Sequence, residues 1–436
     1  MSKVKISKLI SQLILILSFS LLFYIFYKSE LVHLGKVQNY YLKYYIFSIF
    51  FIMLAIVSFF ISYEVKLNVL LLFCSFIIIF FLIELFLIYQ KKNIYGVKDM
   101  SDDRSPMEVY KELKSNNFVL YLSPSNFLGN PNLKNPYSLS GISNSKTIWC
   151  NENGYYVYYN SDRYGFGNPD DEWDKKSTDY LVIGDSFGKG ACVNEEDSIS
   201  GNLRNYNNSV LNLSNSGNGP LTQYATLREY LGLKNVKKIL WIYYEGNDLF
   251  NLEIELKNKF LINYISNGDF SQNLYQKQDE IDNKLLEFLN NKFKNYNFSK
   301  QDKSYFDTIF KFLKLTNLRK VTIERNYEYL TSVPDEFEKI LKLAKILSEK
   351  NGSELYFIYL PDLSRYERRD FNNLDYLSYG KILQIVSKLE IKLIDLNISL
   401  FSKLDNQNSL RPYFGAHFNK RGYSLISEAI YNEIVK

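Results

Sequence analysis

Tyr180-Leu-Val-Ile-Gly-Asp-Ser-Phe-Gly-Lys-Gly190 begins as a strand and ends as a turn. Its apolar run stops at Gly184, and Ser186 follows at once. A turn of this kind lifts a side chain above the C-terminal edge of a parallel sheet, where a nucleophile meets its substrate. Further strand signals follow at Ser209–Leu213, Lys238–Tyr244, Glu354–Leu360 and Ile391–Leu396, with Asp179–Ile183 as the first of the set. Between them, Ser198–Tyr206, Leu221–Leu233 (opened by Pro220), Glu336–Lys350 and Leu374–Lys388 read as helices, and Lys420–Val435 closes the chain as another. Alternation of this type predicts an α/β fold, a parallel sheet between helices.

A serine hydroxyl needs a base to become a nucleophile. The chain has 2 histidines. His417 lies in Gly415-Ala-His-Phe-Asn-Lys-Arg-Gly-Tyr423, just ahead of the closing helix, and His33 lies between two apolar runs near the N-terminus. His417 is therefore the imidazole expected to serve Ser186.

Outward from this core, the first ninety or so residues have a different character. Leu9–Tyr27, Tyr45–Tyr63 and Leu67–Tyr89 are each long and apolar enough to span a bilayer as a helix. The first is flanked by Lys3, Lys5 and Lys8 but lacks a small-residue cleavage site, so it reads as an uncleaved anchor. Glu84 interrupts the third run close to Lys91 and Lys92, and is expected to snorkel toward the interface. Lysines are shared almost evenly between the two sides of the spans, so charge does not set the orientation. Residues 1–92 are thus a membrane anchor. Residues 93–178, rich in turns, are an extended lead-in with a few short strands such as Tyr155–Tyr159. Residues 179–436 form the α/β domain, interrupted at about 250–325 by a charged helical insertion that reads either as a lid or acceptor-binding cap or as a solvated excursion.

The net charge of +5 is spread along the 436 residues, with no basic stripe of the kind that binds nucleic acid. Two distant histidines and scattered acids give no metal-ligand spacing, and no cofactor motif is present. The three cysteines are Cys74 within a span, Cys150 in the lead-in and Cys192 just past the serine turn. Cys150 and Cys192 either form a disulfide, which requires an oxidising compartment, or are two unrelated buried thiols.

Four polar segments follow successive elements of the α/β pattern. They are Gly184-Asp-Ser186, Asn212-Leu-Ser-Asn-Ser-Gly-Asn-Gly219, Glu245-Gly-Asn-Asp248 and His417. This ordered set resembles the SGNH, or GDSL, hydrolase superfamily over residues 179–436. The resemblance implies a flavodoxin-like fold with Ser186, Gly217, Asn247 and His417 as its signature residues. It further implies that Ser186 attacks an ester carbonyl while His417 takes its proton. The backbone N–H groups of Ser186 and Gly217 and the Asn247 amide would then hold the oxyanion. Ser161-Asp-Arg-Tyr-Gly-Phe166, Gly219-Pro220 and Glu245-Gly-Asn-Asp-Leu249 look like the membrane-anchored branch linked to surface polysaccharides.

Two departures stand out. The superfamily places an Asp three residues before the His, and Phe414 stands here, with Gly415 next. Glu245 also takes the position of a usual Gly. The site therefore reads as a Ser–His dyad whose third member is open, with a backbone carbonyl, Asp405 or Glu245 as the alternatives. Asp185 and Asp248 are expected to brace their loops.

These readings converge on a membrane-anchored serine esterase or O-acyltransferase acting on a cell-surface glycan. It is expected in a bacterial inner membrane with its α/β domain outside the cytoplasm. Its partners would be the glycan or another acyl ester, membrane lipid, and, for transfer, an acyl-donor membrane protein. The alternative is a catalytically degenerate fold kept as a glycan-binding or scaffolding subunit.

Overall fold

The structure, a computed structural model, describes residues 3–32, 38–94, 102, 104–127, 136–296, 309–310, 312–316, 318–319, 333–367, 378–412 and 415–435. His33 and Phe414 lie outside the described residues. The described parts of 1–94 and 302–324 form one compact unit, and those of 95–301 and 325–436 form another.

The first unit is built on three helices, α1 (Lys3–Phe26), α2 (Gln38–Ser58) and α3 (Tyr63–Ile94). Three windows, Lys3–Leu31, Tyr41–Ser58 and Tyr63–Tyr89, are long and apolar enough to cross a membrane. Their outer faces expose Leu, Ile and Phe throughout, the pattern of helices whose solvent is lipid. Polar groups inside this unit are partnered. The Lys66 ammonium of α3 donates to the hydroxyls of Ser7 and Ser11 on α1, each at 2.8 Å. Glu84 does not snorkel. It is fully buried, and its carboxylate accepts the backbone N–H of Leu318 at 2.7 Å. A carboxylate that finds a backbone donor within the protein has no need to reach for the headgroups.

The second unit holds a five-stranded, all-parallel sheet. Its strands are β4 (Thr178–Gly184), β5 (Val210–Asn212), β6 (Val236–Tyr244), β7 (Glu354–Leu360) and β8 (Lys392–Asp395), in the spatial order β5-β4-β6-β7-β8. Gly184 pairs with Ile242, Val182 with Asn212, and Tyr244 with Leu360, so the strands end together at one edge. This is the flavodoxin-like order, in which ligands bind beyond the carboxyl ends near the first strand. Helices cover both faces, which is why the strands are apolar on both sides. Trp241, Tyr243 and Phe357 pack on one face with Phe337 and Ile340 of helix Asp335–Asn351. Leu240, Ile242 and Ile358 pack on the other with Ile426 and Ile430 of helix Lys420–Val435.

The lead-in is more than an extended strap. After helix α4 (Pro106–Leu113), capped reciprocally by Ser105 and Glu108, it folds a small sheet of β1 (Phe118–Leu120), β2 (Lys146–Ile148) and β3 (Tyr158–Asn160). β1 runs parallel to β2, and β3 antiparallel to it. Val119, Leu120 and Ile148 share one buried cluster with Leu181, Ile183 and Trp241 of the main sheet. The short strands expected from the sequence are present, and β3 shares Tyr158 and Tyr159 with the expected Tyr155–Tyr159, but strands of three residues carry too little period-2 pattern for their bounds to be read in advance.

The insertion divides between the two units. Helix Gln278–Lys294 buries Ile281, Leu285 and Leu289 in the core of the second unit, and its Asp282 accepts both the backbone N–H and the hydroxyl of Ser143. That part is packed into the core rather than solvated. The described residues between 309 and 319 belong instead to the unit of the apolar helices.

Candidate active site

At the end of β4 the chain turns on Asp185, whose carboxylate accepts the Phe187 N–H at 2.8 Å and starts the short helix α5 (Ser186–Lys189). This cap leaves Ser186 at the first helical position, largely buried, above the sheet edge. The Phe187 ring stacks on Tyr244 with centroids 3.6 Å apart and lies 4.7 Å from the His417 ring, so the imidazole has an apolar backrest.

His417 Nε2 lies 2.9 Å from Ser186 Oγ. Its Nδ1 lies 2.8 Å from Glu152 Oε1, and its backbone N–H donates to Glu152 Oε2 at 3.2 Å. One carboxylate thus grips both the ring and the backbone of the histidine. Gly415 makes this approach possible. It has φ +97°, and a Cβ there would fall 2.1 Å from the Glu152 carboxyl carbon. The third member is therefore none of the alternatives read from the sequence. Asp405 is exposed. Glu245 is fully buried and paired with Arg365, the Tyr359 hydroxyl and the Asp362 N–H.

The segments carrying Gly217 and Asn247, the oxyanion donors expected from the sequence beside Ser186, follow β5 and β6, the two neighbours of β4 in the sheet. Among the described residues, no acceptor takes the backbone N–H of Ser186 or of Gly217. Gly217 has φ +75°, and a Cβ would meet Ser125 Oγ at 2.6 Å, so its turn and the seal of the lead-in against it both require glycine. Asn247 donates one amide hydrogen to Asp185 Oδ2 at 3.1 Å, which orients its amide and leaves a second N–H. Asp185 therefore holds the nucleophile turn and Asn247 together, with burial pushing its carboxyl above the usual range. Asp248 braces its own loop by accepting the Tyr244 N–H at 3.1 Å. The loop carrying Gly217 is fixed by Glu255 at the end of helix Asp248–Glu255. That carboxylate accepts the N–H groups of Gly219, Leu221 and Thr222 at the start of helix Pro220–Tyr230. Burial pushes the Glu255 carboxyl up to about 7.

Two fastenings hold the Glu152 segment against the nucleophile. Cys150 and Cys192 form a disulfide with Cα atoms 5.3 Å apart, and the Asn153 amide donates to the Cys192 carbonyl at 2.7 Å. Lys189, at the end of α5, is fully enclosed. Its ammonium lies 4.6 Å from the Tyr159 ring, 5.3 Å from Trp149 and 5.4 Å from Tyr121, all from the lead-in. Burial pushes this ammonium down to about 8, while the aromatic faces still attract the cation.

Three solved structures similar to the chain are ester-cleaving or lipolytic proteins by name. A protein of Desulfitobacterium hafniense assigned to the G-D-S-L lipolytic family shows 13% identity and a TM-score of 0.33, covering 59% of this chain and 99% of its own. A psychrotrophic Pseudoalteromonas esterase, EstA, shows 13% identity and a TM-score of 0.28, covering 59% of this chain and 97% of its own. An acetyl xylan esterase, AlAXEase, shows 12% identity and a TM-score of 0.33, covering 59% and 99% respectively. No protein-family profile matches the sequence, and no curated protein matches it.

The structure thus gathers Ser186, Gly217, Asn247 and His417 at one sheet edge and adds Glu152. A signal for Glu152 does exist in the sequence. If Cys150 pairs with Cys192, the carboxylate two residues after Cys150 must lie beside the nucleophile loop. Glu152, Cys192 and His417 also bring ligand atoms within 4.8 Å of one another. The Cys192 sulfur is spent in the disulfide, however, and both imidazole nitrogens are engaged, so this trio does not offer a metal a free set of donors.

Proposed function

We propose that the protein is a membrane-anchored serine esterase or O-acyltransferase that works through an acyl-Ser186 intermediate on ester groups of a cell-surface glycan. The observation that carries this reading is the continuous chain from Ser186 Oγ through the His417 ring to Glu152. Glu152 accepts a hydrogen bond from the Nδ1–H and so fixes the tautomer in which Nε2 carries the free lone pair. Nε2 takes the Ser186 proton as Oγ bonds to the ester carbonyl carbon. The resulting oxyanion is met by the N–H groups of Ser186 and Gly217 and the second N–H of Asn247. The C–O bond to the leaving alcohol then breaks, and that alcohol carries away the Nε2 proton. Water, or a sugar hydroxyl, resolves the acyl-enzyme by the same steps in reverse.

Membrane attachment is supported by the three apolar helices, and a site outside the cytoplasm by the disulfide, which belongs to an oxidising compartment. The binding-only alternative rests on a histidine without a carboxylate, and Glu152 removes that ground.

The test is mass-spectrometric labelling of the full chain in detergent with a fluorophosphonate, followed by incubation with an O-acetylated polysaccharide. The full chain is needed because the described residues between 309 and 319 pack with the N-terminal helices. Expected are one adduct, on Ser186, absent from Ser186→Ala and strongly slowed in His417→Ala, and acetate released or transferred from the glycan. Folded protein that stays unlabelled would sink the catalytic reading. Labelled protein inert toward every acylated glycan would sink only the choice of substrate.

A further inference from the structure

Part of the insertion sits where no soluble segment is expected. Its described residues between 309 and 319 pack on α3 inside the unit of apolar helices. The Phe312 ring lies 5.1 Å from Phe81, and the Leu318 N–H donates to Glu84. Phe81 and Glu84 both fall within the membrane-type window that ends at Tyr89. At 1.5 Å per residue they stand roughly 8–12 Å inside that end.

The outward face of the segment matches this depth. Phe310 and Leu313 are each 54% exposed and Ile309 is 40% exposed, as open as the lipid-type positions Phe80 and Leu82 of α3 at 44% and 57%. Lys314 and Arg319 are exposed beside them, long enough to reach headgroups. The backbone is broken here as well. Leu315 adopts φ +49°, a conformation rare for a leucine, and the helical turn restarts beyond it. A break withdraws N–H groups from the helical ladder, which in hydrocarbon is tolerated only where the protein itself supplies acceptors. Glu84, an otherwise expensive carboxylate within a span, supplies one.

We propose that this segment is a membrane-interface wedge. It re-enters the bilayer, is pinned to α3 by Glu84, and presents Ile309, Phe310 and Leu313 to lipid acyl chains. It thereby forms a second attachment to the membrane, contributed from within the catalytic half of the sequence. This wedge is independent of the chemistry at Ser186 but rests on the three helices being embedded.

The test uses the full chain with Cys74→Ser, its disulfide intact, reconstituted in phosphatidylcholine–phosphatidylglycerol vesicles. A fluorophore is placed in turn at Phe310→Cys, Leu313→Cys, Phe73→Cys within α3, and Tyr155→Cys on the exposed surface. Expected is several-fold stronger quenching by shallow nitroxide-labelled lipid at 310 and 313 than at 155, with the reverse order for aqueous iodide. Glu84→Gln should keep this pattern and Glu84→Leu should lose it. Iodide access at 310 and 313 with 73 still lipid-quenched would overturn the wedge alone. Iodide access at 73 as well would overturn the spans and the wedge together. Unchanged lipid quenching in Glu84→Leu would overturn the role given to Glu84.

Discussion

Glu245 lies two residues from Asn247, at the end of a central strand, whereas Glu152 lies 265 residues from His417 in a loop of the lead-in; yet Glu152 touches the imidazole. The difference is in what else surrounds each carboxylate. Glu245 is fully enclosed, and Arg365, Tyr359 and the Asp362 N–H take both its oxygens. It is a pin that ties the loop after β6 to the loop after β7. Glu152 is partly open, faces a glycine, and has His417 as its partner. Proximity in sequence places a carboxylate near a site, but its free valences determine whether it takes part.

The two carboxylates should therefore fail in different ways. Glu152→Gln leaves the fold intact and removes the charge that supports the imidazolium. Its turnover, read by the rate of fluorophosphonate labelling, should fall by about 10³- to 10⁴-fold with an unchanged melting temperature. Glu245→Gln removes the buried carboxylate that Arg365, the Tyr359 hydroxyl and the Asp362 N–H share and should cost about 3–5 kcal/mol in denaturant unfolding, while the labelling rate per folded molecule changes little. If these outcomes were exchanged, the assignment of roles would be wrong. The smallest expected effect concerns the clamp on the Glu152 segment. Lys189 is pushed down to about 8 when folded, so between that pH and 10.5 the unfolded chain binds more protons and stability rises with pH. The rise should total about 3 kcal/mol, and Lys189→Met should abolish it. Melting temperatures of the two proteins across pH 8–10.5 that run parallel would show that the lysine is not held uncharged by its enclosure.

The parts of this molecule that were legible are those written locally. The turn at Asp185-Ser186, the glycine loop at Gly217 and Asn247 each follow a buried strand, and strand-to-loop transitions are marked by composition alone, while His417 is marked by the apolar helix that follows it. Glu354–Leu360 and Lys420–Val435 have the bounds their apolar patterns predict. What was not legible depends on contacts between distant segments. The three-residue strands of the lead-in are specified by their burial against Leu181 and Ile183, not by their own period. Glu152 has no motif around it, and only the two cysteines hint at where it goes. Glu84 misled for the same reason. Its neighbours in sequence, Lys91 and Lys92, suggested the interface, while its partner in space is a backbone N–H contributed from residue 318.

The long path between Ser186 and His417 also has a consequence in time. The two lie 231 residues apart, and at about 5–20 residues per second roughly 10–50 seconds of synthesis separate them. Glu152 and the nucleophile turn are both synthesised long before the imidazole exists. During that interval the nascent chain carries a serine with no base to activate it, while its apolar helices are already seeking the membrane. Under the proposed chemistry, topology thus acts as a timer, because the hydroxyl gains its base only when the last stretch of the chain has been made.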